Sequence, residues 1–158
     1  MKKTLLILAL LPVVVLILFF ALSLLSRSDS AAGMISGKLT PCPDKPNCVC
    51  SEYLDDLAHA HAIAPIQIPA GMEGNALLLV KEVLGEMDAE IQSETESYLA
   101  VTFTSGFFRF VDDVEIRFET ESSLIHVRSA SRAGYGDMGV NRIRVEEIRS
   151  LFEEKIKK

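Results

Sequence analysis

Apolar positions follow two regimes along the chain. From Leu5 to Leu25 they are continuous, with only Pro12 and Ser23 as interruptions and no charge. At 1.5 Å per residue this run extends about 30 Å, the thickness of a bilayer's hydrocarbon core. A cleavable secretory signal has a shorter apolar stretch of roughly 7–15 residues. Length therefore argues for a retained signal anchor, although Ala21-Leu22-Ser23 and Ser30-Ala31-Ala32 offer small-x-small exits. No small residue precedes a cysteine near the end of the run, which disfavours a lipoprotein.

Farther on, the pattern becomes periodic. Leu77, Val80, Leu84 and Met87 recur on one helical face and predict a helix over residues 73–87. Ile91, then Leu99/Val101/Phe103, Val114/Ile116/Phe118 and Ile125/Val127 alternate with polar residues. They predict four antiparallel strands with one buried face, joined by turns at 93–97 and 120–123. A short strand over 63–68 precedes them. Val145, Ile148, Phe152 and Ile156 form the inward stripe of a final helix, with Asn141 as its N-cap. The order predicts an α+β domain: an antiparallel sheet of four to five strands with two helices packed on one face, preceded by a single N-terminal transmembrane helix. The chain divides into a signal-anchor segment (1–26), a flexible tether (27–40) and an extracytoplasmic domain (41–158). The tether assignment rests on the small, polar, Gly/Ser-rich run R-S-D-S-A-A-G-M-I-S-G-K-L-T.

Charge narrows the partners. Lys2 and Lys3 are the only charges before residue 26, so 14 of the 16 basic residues face all 22 acidic ones in the rest. So acidic a domain excludes nucleic acid, whose phosphates demand a basic face. The lysine pair should stay cytoplasmic. That predicts a single-pass protein of the inner (cytoplasmic) membrane with its C-terminal domain in the periplasm or outside. Its partners would be the bilayer, through Leu5 to Leu25, and an envelope protein or a small anionic ligand.

Three cysteines crowd P-C-P-D-K-P-N-C-V-C-S at residues 41–51. In an oxidising compartment Cys42 and Cys48 are expected to bond and to leave Cys50 over. The alternative is a metal site that adds His59 and His61, which share a face of an extended segment. The spacing matches no common zinc finger, so neither metal nor cofactor is assigned.

The stretch with the most chemistry is V-R-S-A-S-R-A-G-Y-G-D-M-G-V-N-R-I-R-V-E-E, residues 127–147. No lysine occurs from Glu82 to Glu154, so arginine is the strong base of this region. Its planar fork makes bidentate bonds, which suggests fixed geometry with carboxylates or an external anion. Arg142 and Arg144 sit in the first turn of the last helix, the wrong end of its dipole for a cation. The candidate anion-binding or structural network is Arg109, Asp112, Asp113, Arg128, Arg132, Tyr135, Asp137, Asn141, Arg142 and Arg144. Arg132, Arg142 and the Asp112–Asp113 pair are expected to join in one internal network beside the loop at 134–139.

The chain resembles the group known as domain of unknown function 1499. The resemblance rests on P-C-P-D-K-P-N-C-V, H-A-I-A-P at His61, F-V-D-D-V-E at Phe110 to Glu115, and R-S-A-S-R-x-G-Y-x-D-x-G-V-N-R from Arg128 to Arg142. It covers about residues 41–152 and implies a domain without an assigned activity. Where the pattern has serine after the valine, this chain has Cys50. No G-x-S-x-G occurs, and the 134–139 glycines do not form a phosphate loop. The reading is a non-catalytic binding or structural module of the cell envelope. The alternative is a small hydrolase or isomerase, or an anionic-ligand-binding domain, that uses the arginine cluster with Asp112 and Asp113; in the enzyme the arginines would be an oxyanion or phosphate clamp.

Overall fold

The continuous apolar run forms one helix, α1 (Lys2–Arg27), in the computed structural model, which describes residues 2–53 and 60–157. It is long and apolar enough to cross a membrane, a form shared by a single-pass anchor and a signal sequence. The alternating segments pair into a sheet built from β3 (Cys48–Cys50), β4 (Ile66–Gln67), β5 (Glu90–Glu94), β6 (Tyr98–Thr104), β7 (Val111–Glu119) and β8 (Leu124–Ser131). All its ladders are antiparallel, in the order β3-β8-β7-β6-β5, with β4 on the same edge of β8 as β3. The six strands among the described residues stand close to the expected four to five, two short ones sharing that edge. The expected strand over 63–68 shrinks to Ile66–Gln67. Pro65 and Pro69 bracket it, and neither can donate to a ladder.

Helices α2 (Ala76–Glu86) and α3 (Val140–Ile156) cover one sheet face. Val80, Val83 and Leu84 of α2 and Val145, Ile148 and Phe152 of α3 meet Leu99, Val101, Val114, Ile116, Ile125 and Val127. The α+β class, the antiparallel sheet and the paired helices are therefore as the periodicity predicted.

The second face differs from expectation. Alternation marked it as solvent-facing, yet β7 and β8 are buried on both sides. The cover comes from the segment expected to be a tether. It folds into a hairpin, β1 (Met34–Ile35) and β2 (Lys38–Leu39), whose turn residues Ser36 and Gly37 have φ of 52° and 78°. Two left-handed central residues make the two-residue turn that matches strand twist. Leu39 is fully buried with Cys50, Tyr98 and Ala100, and Ala31, Cys42 and Tyr53 pack beside them. The end of α1 docks on the same side. Ser26 Oγ accepts the Val111 N–H at 3.3 Å, and the Ser26 carbonyl accepts from Arg132 Nη1 at 3.3 Å.

Cys42 and Cys48 are bridged, and Cys50 is a buried free thiol whose pKa burial pushes up. Peptide mapping without reductant, on protein from native membranes, should find a Cys42–Cys48 linkage. Cys50 should resist alkylation until denaturant is added. A bridge that uses Cys50, or ready alkylation of the native chain, contradicts this arrangement.

Candidate functional site

The two-residue period of β7 sends Asp113, Glu115 and Arg117 to the face away from the helices. Across the ladder, β8 sets Arg128 opposite Glu115 and His126 opposite Arg117. Glu115 is completely buried. Its carboxylate accepts from Arg128 Nη1 at 2.7 Å, the Tyr98 hydroxyl at 2.8 Å and the Gly33 N–H at 2.6 Å. Burial, and after it the Glu115 charge, hold the Tyr98 hydroxyl above its ordinary pKa. Arg132, just past β8, grips Asp113 with both prongs, Nε to Oδ2 at 2.8 Å and Nη2 to Oδ1 at 2.7 Å. Arg117 bridges Glu52 at 2.5 Å and Glu119 at 3.0 Å. Hydrogen bonds from Ser122 and then Arg117 lower the Glu119 carboxyl to about 2.

Asp112 faces the opposite way, toward the start of α3. Arg144 Nη2 binds it at 2.7 Å, Arg144 Nη1 donates to Asn141 Oδ1 at 2.8 Å, and the guanidinium lies 4.7 Å from the Phe103 ring centroid. Asn141 is not the N-cap. Gly139, at φ 83°, occupies that position, and Asp137 accepts the N–H groups of Gly139 at 3.0 Å and Asn141 at 2.8 Å. Asn141 is instead buried and engaged elsewhere. Its amide donates to the Asn47 carbonyl at 3.0 Å and to Ser131 Oγ at 2.9 Å, and its oxygen accepts from Ser129 Oγ at 2.6 Å. Asn47 in turn donates to the carbonyls of Ser131 at 3.3 Å and Gly134 at 3.1 Å. The cysteine loop and the glycine loop are thereby clasped. Burial raises the Asp137 carboxyl, but hydrogen bonds from Asn141 and Gly139 outweigh it and leave the pKa below the usual value.

The expected single network is thus two arrays on opposite sheet faces, with Asp113 in one and Asp112 in the other. Arg142 belongs to neither; its Nη2 donates to the Ala60 carbonyl at 2.9 Å. Arg109 is exposed in the β6–β7 loop at φ 62°, and Tyr135 is 72% exposed on the glycine loop. Sequence reasoning missed Glu115, Tyr98, Asn47, Arg117 and Glu52. The signal available was the opposite-sign pair Glu115 and Arg128 on the polar face of neighbouring strands. His59 lies outside the described residues. His61 Nδ1 donates to the Cys48 carbonyl at 2.9 Å, and no metal-ready cluster of His, Cys, Asp and Glu occurs among the described residues.

A polar cleft of about 310 Å³ opens beside the first array, lined by Asp29, Lys45, Asn47, Asp113, Arg128, Ser131 and Arg132 among others. Arg128 forms part of its wall, and Arg128 Nε is the one buried side-chain nitrogen or oxygen without a hydrogen-bond partner among the described residues. The cleft offers donors. Of its two carboxylates, Asp113 is held by Arg132, and Asp29 accepts the Ser30 N–H at 3.0 Å.

The family described as Protein of unknown function (DUF1499) matches residues 38–152, and the chain belongs to it. No curated protein matches the chain.

Two outcomes test the arrays. Glu115→Ala should lower unfolding free energy by about 3–5 kcal/mol in urea titration, because it strands a buried guanidinium. The double variant Glu115→Met/Arg128→Leu should recover much of that loss; additive losses would contradict the pairing. Asp137 has a depressed folded pKa, so its contribution is present above the unfolded value. It should be lost as pH falls below the ordinary aspartate range and through the depressed folded value. Melts of Asp137→Asn should flatten this acid limb, and an unchanged limb would remove Asp137 from the cap.

Proposed function

We propose that this family member is a single-pass envelope protein, held in the inner (cytoplasmic) membrane by residues 1–26, whose domain (41–158) lies on the periplasmic or outer side. There the domain serves as a non-catalytic binding module for a small anionic group. Residues 27–40 form the cover of its second face. The location is supported by the Lys2–Lys3 pair ahead of α1 and by a bridged Cys42–Cys48, a state that oxidising compartments favour.

One observation carries the binding reading: Arg128, which lines the 310 Å³ cleft, has a buried Nε without a partner. A buried donor without an acceptor costs about 1–3 kcal/mol, more for a charged group. That atom is closed to solvent, so a small turn of the side chain is what lets a carboxylate or phosphate oxygen in the cleft relieve the cost. Arg132, Asn47 and Ser131 stand around the same space, and the exposed Lys45 stands at its rim. Because Glu115 and Asp113 already neutralise two of these arginines, the ligand meets oriented donors more than net charge, and affinity should be modest.

The same pairing disfavours turnover. Asp113 is gripped by Arg132, and Asp112 sits across the sheet with Arg144, so the two aspartates cannot share a proton or flank one substrate. The hydrolase or isomerase alternative rested on that pair.

Thermal melts of the full chain in phosphate and in chloride at matched ionic strength test the reading. Phosphate should raise Tm specifically and progressively with concentration, following ligand linkage. The effect should weaken in Lys45→Ala, whose exposed side chain leaves the fold intact, and persist in full in Lys157→Ala. Equal melting in both salts would leave a purely structural module, and a phosphate effect undiminished in Lys45→Ala would move the anion away from this cleft.

A further inference from the structure

The loop between β6 and β7, residues 105–110, reads S-G-F-F-R-F. Its three phenylalanines do not enter the core beneath the helices. They gather on α1 instead. Phe108 stacks on Phe19 with ring centroids 5.1 Å apart, Phe110 meets Phe19 at 6.3 Å, and Phe107 stands edge-on to Phe108 at 4.8 Å with 82% of its surface exposed.

The position of Phe19 gives this cluster its meaning. It precedes Arg27 by eight residues, which is about 12 Å along the helix axis. Ser23 and Ser26, between them, are buried. The loop therefore runs back along α1 from its C-terminal end, toward the middle of the apolar run. At that level Leu16, Phe20 and Leu24 of the same helix are half or more exposed. Whatever surrounds those side chains also surrounds Phe107.

We propose that residues 105–110 are a second membrane contact, inserted among the acyl chains of the leaflet nearest the domain. The inference rests on α1 being a retained span. Phe107, Phe108 and Phe110 supply an apolar tip without an acid. Arg109 does not accompany them into the apolar layer: it lines a cleft of about 230 Å³ with Arg27 and Arg132, at the end of α1. That places two exposed guanidinium groups, Arg27 and Arg109, at headgroup height, where lipid phosphates accept from them. A loop of three aromatic residues and one basic residue, laid on a membrane helix, matches the chemistry of a bilayer interface. The helix and loop together fix the domain's orientation, which a helix followed by a free tether would not.

The absence of tryptophan makes the test direct. Phe107→Trp gives the full chain a single tryptophan, which is excited apart from the tyrosines, and Tyr135→Trp gives one on the exposed glycine loop. Both proteins are placed in phosphatidylcholine/phosphatidylglycerol nanodiscs with and without brominated acyl chains. Phe107→Trp should emit to the blue of Tyr135→Trp and lose at least half its intensity to the bromines, while Tyr135→Trp keeps its intensity. Identical spectra and quenching for the two variants would overturn the contact and leave the anchor standing. Failure of the chain to enter nanodiscs would overturn both. A blue emission that bromines leave untouched, and that shifts as two chains are loaded per disc, would assign the loop to a second copy and overturn the lipid reading.

Discussion

A carboxylate at the centre of a sheet governs this molecule. Glu115 has no exposed surface, and burying an ion costs several kcal/mol unless partners return it. Three donors do so: Tyr98 of β6 and Arg128 of β8, on the strands that flank β7, and the Gly33 N–H from the arm after α1. The sheet alone leaves one of these bonds unmade. The charge recruits the arm, and the arm brings Leu39 and Ala31 over a face that would otherwise be wet. Removing that cover would leave the buried face open to water, so the second layer and the ion pair stand or fall together.

The start of α3 poses the complementary problem. Arg142 and Arg144 lie where the helix dipole is already positive. Asp137 answers with a cap on two free N–H groups, and Asp112 answers with an ion pair to Arg144. Asn141 uses the remaining geometry to clasp the cysteine loop through Asn47. The cleft beside Arg128 is walled by members of these same contacts, Asn47, Ser131 and Arg132. Stability and ligand access therefore share residues there, and a variant that empties the cleft also loosens the clasp. For that reason the exposed Lys45 separates the two effects better than any buried member.

Much of the fold was legible because periodicity reports burial directly. The helical stripes of α2 and α3 and the long strands β6 to β8 fall where apolar residues recur. What periodicity does not report is whether a polar position faces water or a partner. Glu115 and Arg117 alternate as a solvent face would, and are buried in ion pairs with Arg128 and Glu52. One error of grouping was avoidable: Asp112 and Asp113 are consecutive on a strand and must point to opposite faces. Asn141 was misread for a different reason. Its residue type suits an N-cap, but Asp137 and Gly139 hold the cap, one with a carboxylate and the other with a left-handed backbone.

The preference for arginine over lysine in this region follows from what one guanidinium does. Arg132 places Nε and Nη2 on the two oxygens of Asp113 and still has Nη1 for the Ser26 carbonyl at the end of α1. Those three acceptors are spread around a plane, which the guanidinium fork matches and an ammonium group, with its donors clustered at one point, does not. Arg132 also lines both the cleft at Arg128 and the one shared with Arg27 and Arg109. A single side chain therefore joins the sheet, the apolar helix and both polar openings. Any shift of α1 relative to the sheet must break the Ser26 contact or pull Arg132 off Asp113, and either change alters the wall of the cleft. The helix is in that sense part of the domain's architecture, and the cleft is built partly on its end.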